Sequence, residues 1–237
     1  MQLWSLMEEK LINVGKPFIS LTGGGGKTTF LREFGWYLKE RGMSVMLTTT
    51  TKLAPPEREN YGEDYFFLSL QDLVSTRPGK GTLTLFAHQD GKGAKLYYPG
   101  EDEIAAASAF FDVVLSEADG SRQRPVKVHT SRDPVVLPQS TAVVSLVGIW
   151  GVGKRTTDVA FGDDRNTVVD REYLEGFLSS PEGPLKGMRN DTENIILFNG
   201  GDEMTEDERN TVLSLSIPSG VSAYIVSERK GVIYDAV

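Results

Sequence analysis

The sequence predicts an α/β fold with a mostly parallel sheet, helices on both faces and an inserted β-hairpin, and three observations predict it. An apolar run at residues 16–21 flows into Gly23-Gly24-Gly25-Gly26 and then into a segment whose Phe30, Leu31, Phe34, Tyr37 and Leu38 recur at helical spacing. A second apolar run at 44–48 completes a strand–helix–strand unit, and such a crossover brings its two strands parallel. Short apolar runs at 111–116, 142–147 and 194–198 read as strands covered on both sides, as parallel sheets require.

Taken in order, Leu3, Leu6, Met7 and Leu11 predict an opening amphipathic helix packed on the domain. Gly42 is placed to end the helix after the glycine run in a left-handed conformation. Residues 55–64 are polar and proline-bearing, hence loop, before the apolar run 65–68. The segments 82–88 and 94–98 flank Gln89-Asp90-Gly91-Lys92-Gly93, a five-residue connection that suits a hairpin. Residues 101–110 read as helix, and 224–226 as a late strand. No repeat or long linker divides the chain, so residues 1–237 form a single domain.

Composition excludes several functions. With no cysteine, the chain can form no disulfide or thiolate metal site, and it can carry no persulfide. His88 and His129 are the two imidazoles, too few for a structural zinc, whereas a hard cation held by oxygens and phosphate needs neither. A net charge of -8 argues against nucleic acid as a partner, and no apolar run approaches the roughly 18 residues of a membrane span. Without a secretory leader pattern, the expected location is cytoplasmic.

The chemistry-bearing motif is Thr22-Gly23-Gly24-Gly25-Gly26-Lys27-Thr28-Thr29. Glycines let backbone N–H groups converge on phosphate oxygens, Lys27 reaches the β and γ phosphates, and Thr28 supplies an oxygen to Mg²⁺. The helix that begins here adds the positive end of its dipole. Leu21 stands where the general P-loop pattern has its first glycine, so this is a variant loop. The rival dinucleotide reading fails because neither Gly23-x-Gly25-x-x-Thr28 nor Gly24-x-Gly26-x-x-Thr29 supplies a third glycine. The fold expectation is therefore P-loop NTPase-like, with Mg²⁺ and ATP or GTP as cofactors.

Other candidates lie where further strands should end. Thr48-Thr49-Thr50-Thr51-Lys52 offers hydroxyls and an ammonium, or simply a β-branched strand end with a solvated lysine. In Ser116-Glu117-Ala118-Asp119-Gly120, alternation puts Glu117 and Asp119 on one side, Asp119 for the metal and Glu117 for a water or substrate. Taken without the glycine loop, the same residues read as a turn and a surface ion pair. Arg122, Arg124, Lys127 and His129 make an electropositive stretch able to hold an anion, or a solvated loop paired with surface acids. Asn199-Gly200-Gly201-Asp202 resembles the Asn-Lys-x-Asp element that reads guanine, with Gly200 in place of the lysine that flanks the base; a polar turn is the alternative.

Four motifs in order carry a resemblance: Gly-Gly-Gly-Gly-Lys-Thr-Thr at 23–29, Thr-Thr-Thr-Thr-Lys at 48–52, Glu-Ala-Asp-Gly-Ser at 117–121, and Pro125-Val126-Lys127. Over about residues 5–205 the chain resembles the YqeC proteins, described as accessory to selenium-dependent molybdenum hydroxylases. It departs from them at Arg132-Asp133-Pro134-Val135, where the family has His-Glu-Pro-Val, and at Gly200, where a lysine is frequent. The resemblance implies a part in making or inserting a selenium cofactor and marks Lys52, Glu117, Asp119 and Lys127 as site residues.

The expected function is thus a nucleotide-binding, NTP-hydrolysing accessory protein. Its expected partners are a cofactor-assembly protein or the hydroxylase, and a second copy of the chain in a homodimer. A small-molecule kinase or nucleotidyl-activating enzyme acting on an anionic substrate is the alternative, with Lys52, Arg122 and Lys127 on that substrate; a module that binds without turnover is a third.

Overall fold

The computed structural model describes residues 2–13, 15–89, 91 and 93–237, so Asp90 and Lys92 of the expected hairpin connection lie outside the described residues. Its strands are β1 (Phe18–Gly23), β2 (Val45–Thr49), β3 (Lys52–Leu53), β4 (Tyr65–Phe67), β5 (Leu83–Phe86), β6 (His88–Gln89) and β7 (Leu96–Tyr97). They continue as β8 (Val113–Glu117), β9 (Val126–Lys127), β10 (Ala142–Gly148), β11 (Ala160–Phe161), β12 (Glu193–Asn199), β13 (Ser222–Ser227) and β14 (Val232–Ala236). The helices are α1 (Leu3–Leu11), α2 (Lys27–Glu40), α3 (Leu70–Thr76), α4 (Glu101–Ser108), α5 (Thr156–Val159), α6 (Arg171–Ser179) and α7 (Glu206–Leu213).

Among the described residues, nine strands form the central sheet in the order β14-β13-β12-β10-β1-β8-β2-β5-β4, and every pairing is parallel except β13 with β14. From β1 the chain first builds one side of the sheet, β8 enters between β1 and β2, and β10 then starts the other side. The order reverses at β1, and in open parallel sheets the crevice at the carboxyl ends of strands around such a reversal receives ligands. The glycine run leaves β1 at that end.

Alternation along the strands sends two apolar sets to opposite faces. On one face Ile19, Leu21, Leu47, Leu115, Val144 and Leu197 pack with Leu3, Met7 and Leu11 of α1 and Phe30, Leu31, Phe34 and Leu38 of α2. On the other, α6 and α7 cover β12 and β13 through Leu174, Phe177, Leu178 and Val212, while α3 and α4 cover β8 and β2 through Leu73, Ile104 and Ala107. None of the helices among the described residues is long and apolar enough to cross a membrane.

Some elements differ from the sequence expectation. The segment 82–88 splits between two sheets: Leu83–Phe86 joins the central sheet, and His88–Gln89 turns away to pair antiparallel with Leu96–Tyr97. The expected hairpin is therefore short, and β3 extends it to three strands. Strand β8 starts at Val113, because Asp112 is drawn into a turn in which its carboxylate accepts from both the N–H and the hydroxyl of Ser44.

Leu115 lies at the centre of this arrangement, between Ile19 of β1 and Leu47 of β2, and is wholly buried. Leu115→Ala is expected to cost about 2–5 kcal/mol, read as a lowered urea midpoint. Leu68→Ala, at a position 41% exposed, should shift it by no more than about 0.5 kcal/mol. Equal midpoints in the two variants would contradict the placement of β8 at the sheet centre.

Candidate functional site

The parallel sheet brings the carboxyl ends of β1, β2, β8, β10, β12 and β13 to one edge, and the site is built from what those ends carry. Glycine is required in the loop by contact as well as by conformation. At Gly23 (φ 87°) a Cβ would lie 2.3 Å from the Leu146 carbonyl oxygen, and at Gly26 (φ 148°) it would lie 2.1 Å from Oε2 of Glu228. Gly26 caps α2 with no side chain to accept from the first-turn N–H groups, which are left for another acceptor. Thr28 and Thr29 follow in the first turn, both half-buried.

Lys27 is almost fully buried, and its ammonium contacts Oδ1 of Asp119 at 2.9 Å and Oε1 of Glu117 at 4.0 Å while donating to the Gly23 carbonyl. Glu117 and Asp119 thus converge on one cation from the end of β8. The other oxygen of Asp119 accepts from the Gly23 N–H at 2.7 Å and lies 2.7 Å from Nε2 of His129, whose Nδ1 lies 2.9 Å from the Gly183 carbonyl oxygen.

The two carboxyls differ in charge. Burial opposes ionisation of Asp119, yet Lys27, His129 and the Gly23 N–H together hold it below the usual carboxylate range. For Glu117, burial outweighs the attraction of Lys27 and, with the nearby Asp119 charge, pushes the carboxyl up to about 7. Its Oε2 is buried with no hydrogen-bond partner among the described residues. Burial lowers the affinity of Lys27 for its proton, but Asp119 and Glu117 more than restore it and hold the ammonium above its ordinary value.

Two hydroxyls of the threonine run are tied up in structure, while Thr48 Oγ1 is buried with no hydrogen-bond partner among the described residues. Thr49 Oγ1 donates to the Glu117 carbonyl at 3.0 Å, and Thr50 Oγ1 to the Val135 carbonyl at 2.7 Å. Lys52 stands apart, exposed on β3 with its ammonium 5.1 Å above the Tyr97 ring. Lys127 is buried, paired with Asp133 at 2.7 Å and lying 4.4 Å above the Phe161 ring. Arg122 lies over the same ring, and Arg124 donates to the carbonyls of Thr157 and Ala160. The structure therefore joins Lys27, Glu117, Asp119 and His129 in one cluster, while Lys52 and Lys127 make other contacts.

Asn199 clamps the loop: its Nδ2 donates to the Gly25 carbonyl at 2.9 Å and to Glu228 Oε2 at 2.8 Å, and its Oδ1 accepts from the Glu228 N–H. Asp202 is shielded by Arg229 at 2.8 Å and Lys230 at 3.5 Å. In the sequence His129 belongs to an electropositive stretch able to hold an anion, and its contact with Asp119 has no local signal. Glu228 sits in Ser227-Glu228-Arg229-Lys230, which reads as a surface turn, and nothing local signals that β13 will bury it beside the loop.

A broad groove of about 930 Å³ lies elsewhere, behind the segment that holds His129. Its walls carry Asp163, Asp164, Asp170, Glu172 and Glu182 against Arg155 and Arg165, a balance that disfavours anions.

The family model described as "YqeC protein" matches residues 19–162, more than half of the chain. A relative named "Uncharacterized protein YqeC", from Escherichia coli (strain K12), is 28% identical over 142 residues, covering 59% of this chain and 54% of that protein. The chain therefore spans about half the length of that relative. The family match includes the glycine loop, the threonine run, Glu117, Asp119 and Lys127 and leaves Asn199 and Asp202 outside, a shorter reach than the motif-based 5–205.

Glu228 gives a pH test of the clamp. Desolvation, followed by the charge of Glu33, pushes its carboxyl well above the ordinary 4.5, so the native state keeps a proton that the unfolded chain gives up. The associated stability is complete below pH 4.5 and is lost as pH rises through the folded value. Glu228→Gln keeps an acceptor for Asn199 and removes that loss, so thermal melts should show the variant gaining on the parent between pH 4.5 and 8. Parallel profiles for the two proteins would show that Glu228 ionises freely in the folded state.

Proposed function

This chain belongs to the YqeC family, and from that premise we propose that it binds a magnesium nucleoside triphosphate at the glycine loop and uses its turnover to serve selenium-cofactor assembly or insertion for a molybdenum hydroxylase. The observation that carries the nucleotide reading is the buried contact of Lys27 with Asp119 at the point where the strand order reverses. A lysine on a glycine loop, next to uncapped helix N–H groups, is suited to phosphate. The selenium part rests on the family likeness alone.

The oxygen donors present fit Mg²⁺. Among the described residues no group of three or more His, Cys, Asp or Glu is gathered as a metal cage. Mg²⁺ does not need one, since it commonly takes one or two protein oxygens and fills its shell with phosphate and water. Thr28 and Asp119 would hold it, and bound there it would neutralise charge on the phosphates. The chain's own part is an exchange of partners. Phosphate oxygens draw Lys27 from Asp119 Oδ1, which frees that oxygen, while His129 and the Gly23 N–H keep the other fixed. Glu117, with an unpartnered oxygen and a raised carboxyl, stands two residues away to take a proton from a nucleophile.

A kinase acting on an anionic substrate finds less support. The broad groove behind the His129 segment is acid-rich, and Lys127 is already neutralised by Asp133. With no cysteine to carry selenium, this chain's contribution is nucleotide-driven work on a partner that does carry it.

Three outcomes test this reading. Lys27→Ala should abolish Mg-NTP binding in equilibrium titrations while circular dichroism shows a folded chain; unchanged affinity would rule out the loop as the phosphate site. Asp119→Asn should lower turnover by about a hundredfold or more and affinity by much less, since the charge matters most as the transition state forms; equal turnover would remove Asp119 from the chemistry. In cells, deletion should leave the hydroxylase polypeptide present but short of labile selenium, and Lys27→Ala should fail to restore it. Normal selenium in hydroxylase purified from the deletion strain would refute the accessory role.

A further inference from the structure

Trp150 follows β10 in a short 3₁₀ turn, Ile149–Gly151, and 40% of it meets solvent. Single exposed aromatics are ordinary on a protein surface. This one has a built seat: its six-membered ring lies among three glycines from three neighbouring strand ends. A Cβ on Gly25 would come within 3.2 Å of Cη2, one on Gly148 within 2.8 Å of Cζ2, and one on Gly200 within 2.8 Å of Cε3. These glycines belong to the loop after β1, the end of β10 and the turn after β12, which lie side by side in the sheet. Any side chain at Gly148 or Gly200 would push the ring away, so the glycines place bare backbone where the indole needs it.

Gly200 is also the position at which the Asn-Lys-x-Asp element has the lysine that flanks a nucleobase, and here the indole fills that space. Asp202, which would read the base edge, is instead engaged by Arg229 and Lys230, and Asn199 is spent on holding Gly25 and Glu228. The edge-reading groups are committed, and beside the loop stands an aromatic residue that is 40% exposed.

We propose that Trp150 is the stacking wall for the nucleobase of the triphosphate held by the glycine loop, an assignment that rests on the nucleotide reading above. Stacking is tolerant of base identity, since every base presents a π-face. The site therefore takes purine nucleotides with little distinction between ATP and GTP, in contrast to the guanine preference that Asn199 and Asp202 suggest from sequence.

The test compares ATP, GTP and inorganic tripolyphosphate, each with Mg²⁺, by titration calorimetry against the parent, Trp150→Ala and Trp150→Phe. Trp150→Ala is expected to weaken both nucleotides about five- to a hundredfold and leave tripolyphosphate unchanged, with Trp150→Phe retaining most of the nucleotide affinity. Equal weakening of all three ligands would make the indole a support of the loop and overturn the proposal, as would no weakening of any. Where Trp150→Ala fails to fold, fluorescence in a Trp4→Phe, Trp36→Phe background, with Trp150 the one remaining tryptophan, decides: quenching by ATP and not by tripolyphosphate supports stacking, and equal responses overturn it. A parent that binds tripolyphosphate but gains nothing from the base sinks the stacking wall alone. A parent that binds none of the three sinks the nucleotide reading with it.

Discussion

The buried contact between Lys27 and Asp119 is the constraint on which the site depends. Removing two charges from water costs several kcal/mol per ion, and their attraction offsets this only when the remaining donors and acceptors are satisfied. Asp119 meets the condition with the Gly23 N–H and His129, and Lys27 with the Gly23 carbonyl. Gly23 therefore contacts both members of the pair, which ties the backbone of the loop to their charge. His129 extends the tie to Gly183, far along the chain, so one carboxylate fixes the loop after β1 and the segment after α6 together.

Much of this was legible in the sequence because parallel strands buried on both faces are written as continuous apolar runs, and β1, β2, β8, β10 and β12 all follow such runs. The convergence of Glu117 and Asp119 was legible too, since alternation at a strand end is a local rule. What escaped is non-local. Glu228 is buried only because β13 lies next to β12, and Asp202 loses its freedom to Arg229, 27 positions downstream. Trp150 acquires its setting from glycines at three strand ends. Helix α6, which like α3, α5 and α7 is absent from the sequence expectation, is a different case: Leu174, Phe177 and Leu178 have helical spacing and Asp170 caps the first turn, but Gly176 inside the run weakens the pattern.

The edge of the sheet is also clamped from its second side. Asn199 holds the loop at Gly25 and the end of β13 at Glu228, so the backbone that would meet phosphate is fixed from β12 as well as from β8. A loop fixed at both sides loses little further entropy when it is occupied, and this is the condition under which backbone N–H groups contribute most to anion binding. Asn199, which reads as a base contact in sequence, thus holds the loop to the end of β13 in the fold.

The two carboxyls on β8 complete the electrostatic logic. They stand two residues apart, yet one is held ionised by Lys27 and His129 while burial keeps the other close to its proton. On the proposed reading this separation assigns their work, since an ionised carboxylate suits a cation and a carboxyl that titrates near neutrality suits proton transfer. It also explains why nucleotide and Mg²⁺ should arrive together. Lys27 and Asp119 balance each other's charge, and a triphosphate alone would take Lys27 from Asp119 and leave that carboxylate buried beside further negative charge. On that reading a divalent cation entering with the phosphates would supply the compensation that Asp119 loses, and the ion pair would act as a condition on what the loop accepts.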